Sequence, residues 1–124
     1  MELRVWLDDD LVDRTPPGED WVQVTNVDAV TKLIELADVV ELSLDHDLGD
    51  DKVHGRGIDV IDWLVTRHVV HGEDHWPRDG ISLHTGNPVG RDNMVRALRA
   101  GCRRCGIRFK ESRPGGQPHF EFER

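Results

Sequence analysis

Apolar positions along this chain repeat at two different intervals, and each change of interval marks a new element. Glu2 to Leu7, ELRVWL, is a short run with β-branched and aromatic members and predicts a strand. Val12 to Glu19 holds two prolines, a glycine and no period, so it predicts a loop. Trp21 to Thr25, WVQVT, predicts a second strand. Asn26 is a suitable N-cap for a helix that places Val27, Val30, Leu33, Ile34 and Ala37 on one side. The stretch Val39 to Gly49, VVELSLDHDLG, starts apolar and ends in Asp45, His46 and Asp47, which is how the carboxyl end of a central strand reads. Asp50 to Gly57 is a polar loop. Ile58 to Val70 returns to helical spacing through Ile58, Ile61, Trp63, Leu64 and Val65. Gly80 to His84 predicts a short strand, and Arg91 to Ala100 a helix with Met94, Val95 and Leu98 inward and glycines 101 and 106 at its exit. Ile107 to Glu111 predicts a strand, Arg113 to Pro118 a turn, and His119 to Glu123, which alternates strictly, an exposed edge strand.

Strands alternating with helices predict an α/β domain with parallel pairing and right-handed crossovers. The expected sheet has the flavodoxin-like order 2-1-3-4-5, with the C-terminal strand antiparallel at an edge. In such sheets ligands bind outside the carboxyl ends of the strands. That order sets Asp8 and Asp9 beside Asp45 and Asp47, with His84 and Thr85 one strand further on.

Composition narrows the function. A chain of 124 residues suits one domain, here 1–124. Its net charge of −8, from 24 acidic and 16 basic residues, argues against a long nucleic-acid duplex as partner. No apolar run reaches membrane-spanning length and no signal-peptide pattern opens the chain, so a soluble cytoplasmic protein is expected. Cys102 and Cys105 form one C-x-x-C at the close of a helical pattern, which predicts packing thiols rather than a redox pair or a zinc site. His68, His71 and His75 read as a solvated helix end.

Carboxylates crowded at neighbouring strand ends repel one another, so some stay protonated or a cation holds them. Carboxylate oxygens favour hard cations, and Mg²⁺ (or Mn²⁺) on Asp8, Asp9 and Asp45 is the expected site. The segment Asn87 to Gly90 opens a helix whose amides would cradle an anion, with Thr85 and Asn87 as neutral donors. His46 and His84 titrate near neutral pH and are candidate acid and base, with Asp47 orienting one of them. A metal, an anion cradle and two histidines fit phosphoryl chemistry better than acyl or hydride transfer.

These motifs resemble the response-regulator receiver family. Asp8-Asp9 resembles its acidic pair, Asp45 its phospho-accepting aspartate, Gly57 its helix-opening glycine and Thr85-Gly86 its hydroxyl residue with a small neighbour. Lys110 is the match to its lysine, without the usual proline after it. The first helix of that family is replaced by the loop around Arg14, and its last helix by HFEFE. With His46, Asp47 and His84 added, the set LDDD, SLDHDLG and HTGNPVG closely resembles the cyclic-phosphate-processing receiver domain over Leu3 to Phe109. The resemblance implies action on cyclic phosphate ends, such as 2′,3′-cyclic phosphates of RNA or nucleotides. Arg14, Thr85, Asn87, Gly90 and Lys110 are then the expected phosphate contacts. Two other readings keep the same fold: a non-catalytic binder of cyclic nucleotide or phosphate, and a receiver phosphorylated on Asp45.

Overall fold

The computed structural model describes residues 1–123. Its elements are β1 (Glu2–Leu7), β2 (Trp21–Val24), α1 (Val27–Leu36), β3 (Asp38–Leu44), a single-turn α2 (Asp51–His54), α3 (Gly57–His71), β4 (Ile81–Leu83), α4 (Pro88–Cys105), β5 (Arg108–Ser112) and β6 (His119–Glu123). The six strands form one sheet in the order β2-β1-β3-β4-β6-β5. β1 to β4 pair in parallel, and β6 is antiparallel to both of its neighbours. The chain is therefore an α/β domain with a mostly parallel sheet.

Three details differ from the sequence-based expectation, the smallest being the helical turn α2 within the expected loop of residues 50–57. HFEFE is not the edge strand: β6 inserts between β4 and β5, and β5 takes the edge. The reason is that alternation gives β6 one fully apolar side. Phe120 and Phe122 are buried, Phe120 against Phe109 and Phe122 against Trp76, and that side seats β6 over the core. The last helix also starts earlier and ends later than predicted. Asn87 caps it through the Gly90 amide, Pro88 suits its first turn, and Gly106 closes it in a left-handed conformation. Gly101 and both cysteines thus lie within α4. Cys102 is buried and both thiols are free, with burial pushing the Cys102 thiol up to about 12, as expected of a packing residue.

Helices cover one face of the sheet only. Register aligns Val5 with Leu42, Ile81 and Phe120, and Leu7 with Leu44 and Leu83. These side chains are buried beneath α1, α3 and α4, with Val60, Ile61, Leu64, Met94 and Leu98 opposite them. The alternate row is polar: Arg4 lies beside Glu41, and Trp6 beside Ser43, Ser82 and His119. A two-layer fold needs only one apolar face per strand, and that is the pattern seen here. The loop between β1 and β2 runs back along the polar face, tied by the Trp6 indole donating to the Arg14 carbonyl at 3.3 Å and by Arg4 paired with Asp20 at 3.3 Å.

Candidate functional site

The parallel strands stop at one end of the sheet, and their first residues beyond the ladder form the site. β1 delivers Asp8, held by its amide to the Val24 carbonyl at 3.0 Å. β3 delivers Asp45, whose amide bonds the Leu7 carbonyl at 3.0 Å. β4 delivers His84, whose amide bonds the Leu44 carbonyl at 3.0 Å. The backbone ladder thus fixes all three side chains before any of them meets a ligand.

Asp8, Asp9 and Asp45 each present an oxygen within 4.8 Å of the other two. Asp8 and Asp45 are buried, at 0% and 1% exposure, and Asp9 is exposed. Asp45 Oδ1 accepts the His46 amide at 2.8 Å, whereas its Oδ2 is buried without a hydrogen bond among the described residues. The cation nearest that oxygen is Arg14, with Nη2 at 3.3 Å; Arg14 Nε lies 3.5 Å from Asp8 and 3.9 Å from Asp10. Burial raises the Asp8 carboxyl above the usual range, against the Asp10 amide and Arg14. Burial and then the Asp8 charge raise Asp45, against Arg14, the Thr85 hydroxyl and the His46 amide. Two buried carboxylates side by side resist ionisation, and a divalent cation would relieve that resistance. The donor set is all oxygen, which suits Mg²⁺ or Mn²⁺.

His84 is not the free acid-base group expected from sequence. It is 5% exposed, and both ring nitrogens are committed. Nε2 meets Asp8 Oδ2 at 3.0 Å and Nδ1 meets the Ser43 hydroxyl at 2.7 Å. When Asp8 is ionised it can only accept, which puts the proton on Nε2 and makes Ser43 the donor to Nδ1. Trp6 stacks flat on the ring at 3.7 Å, with the planes 5° apart. Burial, and secondarily Arg14, push His84 down to about 3, so it is neutral in the working range. Its place is behind Asp8, orienting that carboxylate. Ser43 and Trp6 belong to this assembly and were missed from sequence. The available signal was Ser43 as the lone polar residue between Leu42 and Leu44, in register with Trp6.

His46 sits differently. Its Nδ1 meets Asp47 Oδ1 at 2.9 Å, and Asn87 Nδ2 donates to Asp47 Oδ2 at 3.0 Å. Those two contacts, Asn87 foremost, hold Asp47 below the usual carboxylate range. An ionised Asp47 keeps the proton on Nδ1 and leaves Nε2 as the basic nitrogen. The ring also packs on the first turn of α4. A Cβ on Gly90 would lie 2.5 Å from His46 Cγ, and one on Gly57 would strike the Asp45 carbonyl. Both glycines are there for close approach of backbone, Gly57 under Asp45 and Gly90 under His46.

Arg14, Asp45, Asp47, Thr85, Gly86 and Asn87 line an open pocket of about 260 Å³. Thr85 accepts the Asn87 amide at 3.1 Å. The helix cradle is narrower than expected, because Pro88 has no N–H, Asn87 Oδ1 takes the Gly90 amide and the Asn87 carbonyl takes that of Arg91. Of the expected phosphate contacts, Arg14, Thr85 and Asn87 come together here, while Gly90 serves as packing surface. Lys110 does not join them: it lies exposed on edge strand β5, 3.7 Å from Glu123. The insertion of β6 moves β5 one strand away from β4, and the lysine goes with it.

A parallel sheet with an acidic cluster at its strand ends, a hydroxyl residue on the next strand and a glycine opening α3 defines a receiver-like domain. The sequence pattern of the cyclic-phosphate-processing receiver domain matches residues 3–100, and the chain belongs to that family. Membership links it to cyclic-phosphate processing. Neither the curated proteins nor the solved structures compared with it give a significant match.

Proposed function

We propose that this chain is a phosphoesterase that opens a 2′,3′-cyclic phosphate, on an RNA end or a nucleotide, with Mg²⁺ or Mn²⁺ held by Asp8, Asp9 and Asp45. The observation that carries this reading is the buried Oδ2 of Asp45, which accepts no hydrogen bond among the described residues and has the Arg14 guanidinium at 3.3 Å, beside Asp8 and Asp9. When bound, the ion neutralises phosphate oxygens and favours ionised carboxylates. Arg14 and the Thr85 hydroxyl contact the phosphate from the pocket wall. His46 Nε2 takes the proton of the attacking water as the new P–O bond forms. It returns that proton to the ribose oxygen as the old P–O bond breaks, and Asp47 steadies the ring through Nδ1. One histidine thus does both transfers, and His84 acts only by positioning Asp8. The pocket is smaller than the ~300 Å³ at which sites for whole drug-sized ligands begin, which suits a phosphate and its ribose rather than an enclosed base. The phospho-accepting alternative gains no support from the pocket, where the described lining residues are Arg14, Asp45, Asp47, Thr85, Gly86 and Asn87.

The test is a screen of nucleoside 2′,3′-cyclic phosphates with Mg²⁺, Mn²⁺ and chelator. Conversion to a monoester in metal and none in chelator is expected. Tight binding without turnover in any metal would replace the enzyme by a binder.

A further inference from the structure

The net charge hides a division. Residues 91–113 contain eight of the chain's 16 Lys and Arg residues and only two of its 24 acidic ones, Asp92 and Glu111, so this segment carries +6 and the remainder −14. Much of the positive charge faces one way. Arg96 and Arg99 on α4 and Arg113 after β5, with Asp92 and Val95, line an open groove of about 270 Å³. Arg96, Arg99 and Arg103 follow the i, i+3, i+7 spacing of one helix face. Glu111 is the carboxylate in their midst. Arg99 binds it in two-pronged fashion, its Nη2 at 2.8 Å from Oε2, while Arg103 and Arg113 stand near enough to lower it further. Arg96, Arg103 and Arg113 are exposed and have no ion pair among the described residues; Arg96 bonds only the Asn93 side chain, at 2.6 Å. The opposite face of β5 is different, since Arg108 and Lys110 stand across from Glu123 and Glu121.

The groove is also at the right end of the molecule. β5 runs in the same direction as β4, so Arg113 leaves the sheet at the end that holds the acidic site. The β5–β6 turn reaches back to β4 through the Leu83 amide and the Pro118 carbonyl, 2.9 Å apart. β5 stands two strand spacings from β4, about 10 Å. α4 itself begins at the pocket with Asn87.

We infer that this arginine groove binds the phosphodiester backbone of single-stranded RNA whose cyclic-phosphate end occupies the acidic site. The inference rests on the function proposed above for the choice of RNA. Charge complementarity supplies the rest: bare guanidinium groups in a row match a chain of phosphates and serve a lone nucleotide poorly. The −14 elsewhere does not cancel them, because charges beyond the ~8 Å screening length contribute little at physiological salt. The strand's path past the groove makes the preferred substrate an oligonucleotide rather than a mononucleotide.

The test uses fluorescence anisotropy in chelator with a labelled decaribonucleotide, ending either in 2′,3′-cyclic phosphate or in a 3′-hydroxyl, over a salt series. R96Q/R113Q is compared with K32Q, which makes one charge change on distant α1. Both oligonucleotides should bind. The double variant should bind on the order of tenfold more weakly, and its log–log salt slope should flatten by about 1.4, at roughly 0.7 for each lost single-strand phosphate contact. K32Q should match wild type. R103Q should weaken binding in the same direction, should the double variant melt early. No RNA binding at low salt, or equal binding by R96Q/R113Q and K32Q, overturns the inference. So does arginine-dependent binding to vesicles with 30% phosphatidylserine when RNA fails to bind. Turnover of a cyclic mononucleotide is measured alongside. If it is absent while arginine-dependent RNA binding persists, the catalytic reading fails and the groove stands.

Discussion

Arg14 and His84 carry the sharpest consequences at the scale of single residues. Arg14 lies 3.5 Å from Asp8 and 3.3 Å from Asp45, as the resident cation of a carboxylate pair that a metal would claim. Arg14→Ala should therefore lower the melting temperature without metal and enlarge the increment that Mn²⁺ provides, since the ion no longer competes with a guanidinium. Mn²⁺ titration followed by electron paramagnetic resonance should show affinity about tenfold tighter, the equivalent of ~1.4 kcal/mol. Weaker binding would mean that Arg14 supports the ion rather than opposing it. His84 makes a pH prediction. Its folded value of about 3 lies below the ordinary ~6.5, so the unfolded chain binds the extra proton first. Its contribution is complete above pH 6.5 and is lost as pH falls towards 3, at up to about 1.4 kcal/mol per unit. Asp8 and Asp45 are raised, so protonating them opposes that loss only near and above the ordinary carboxylate range. Urea unfolding in chelator between pH 7 and 5 should show a decline that His84→Gln flattens. An equally steep decline in the variant would place the cause elsewhere. In turnover, His46→Ala should cost 10²–10⁴-fold, as loss of a proton-transfer group does.

Elements show what the sequence made legible and what it hid. The strand ends were readable, because a β-branched apolar run that breaks into aspartate and glycine has few other interpretations. Asp8, Asp9 and Asp45 accordingly meet where the alternation of strands and helices puts them, and Asp47 lines the same pocket as Asp45. The place of β6 was not readable from HFEFE. Strict alternation describes a strand with one buried face equally well at an edge and in the middle, and only the partners Phe109 and Trp76 decide it. That one misplacement carried Lys110 away from the site. His84 was misread for a related reason: proximity to a strand end was legible, whereas burial between Ser43, Asp8 and Trp6 depends on how two other strands, β1 and β3, lie against it. The β6 position is testable. Phe120→Ala should cost about 3–5 kcal/mol in denaturant unfolding, the usual loss for a buried phenylalanine. A cost under 1 kcal/mol would fit an exposed edge strand instead. Gly57→Ala should also destabilise, by at least ~2 kcal/mol, because its new methyl meets the Asp45 carbonyl at the head of α3.

At the scale of the whole molecule, helices on one sheet face and a loop on the other explain how a chain of 124 residues carries a site. Three helices on the apolar side supply the core, and no helix is long and apolar enough to cross a membrane. The polar side is crossed by the loop that carries Arg14, so the same segment also reaches the buried carboxylates Asp8 and Asp45. Charge is divided in the same economical way, negative around the carboxylates and positive along α4. The most direct test of the account is a ³¹P nuclear magnetic resonance time course of a nucleoside 2′,3′-cyclic phosphate with Mn²⁺ or Mg²⁺, run on the wild type and on Asp45→Asn. The account expects the cyclic resonance to give way to a monoester in the wild type, with no conversion by Asp45→Asn even though it remains folded. Conversion at the same rate by both proteins, or by neither in either metal, would contradict it.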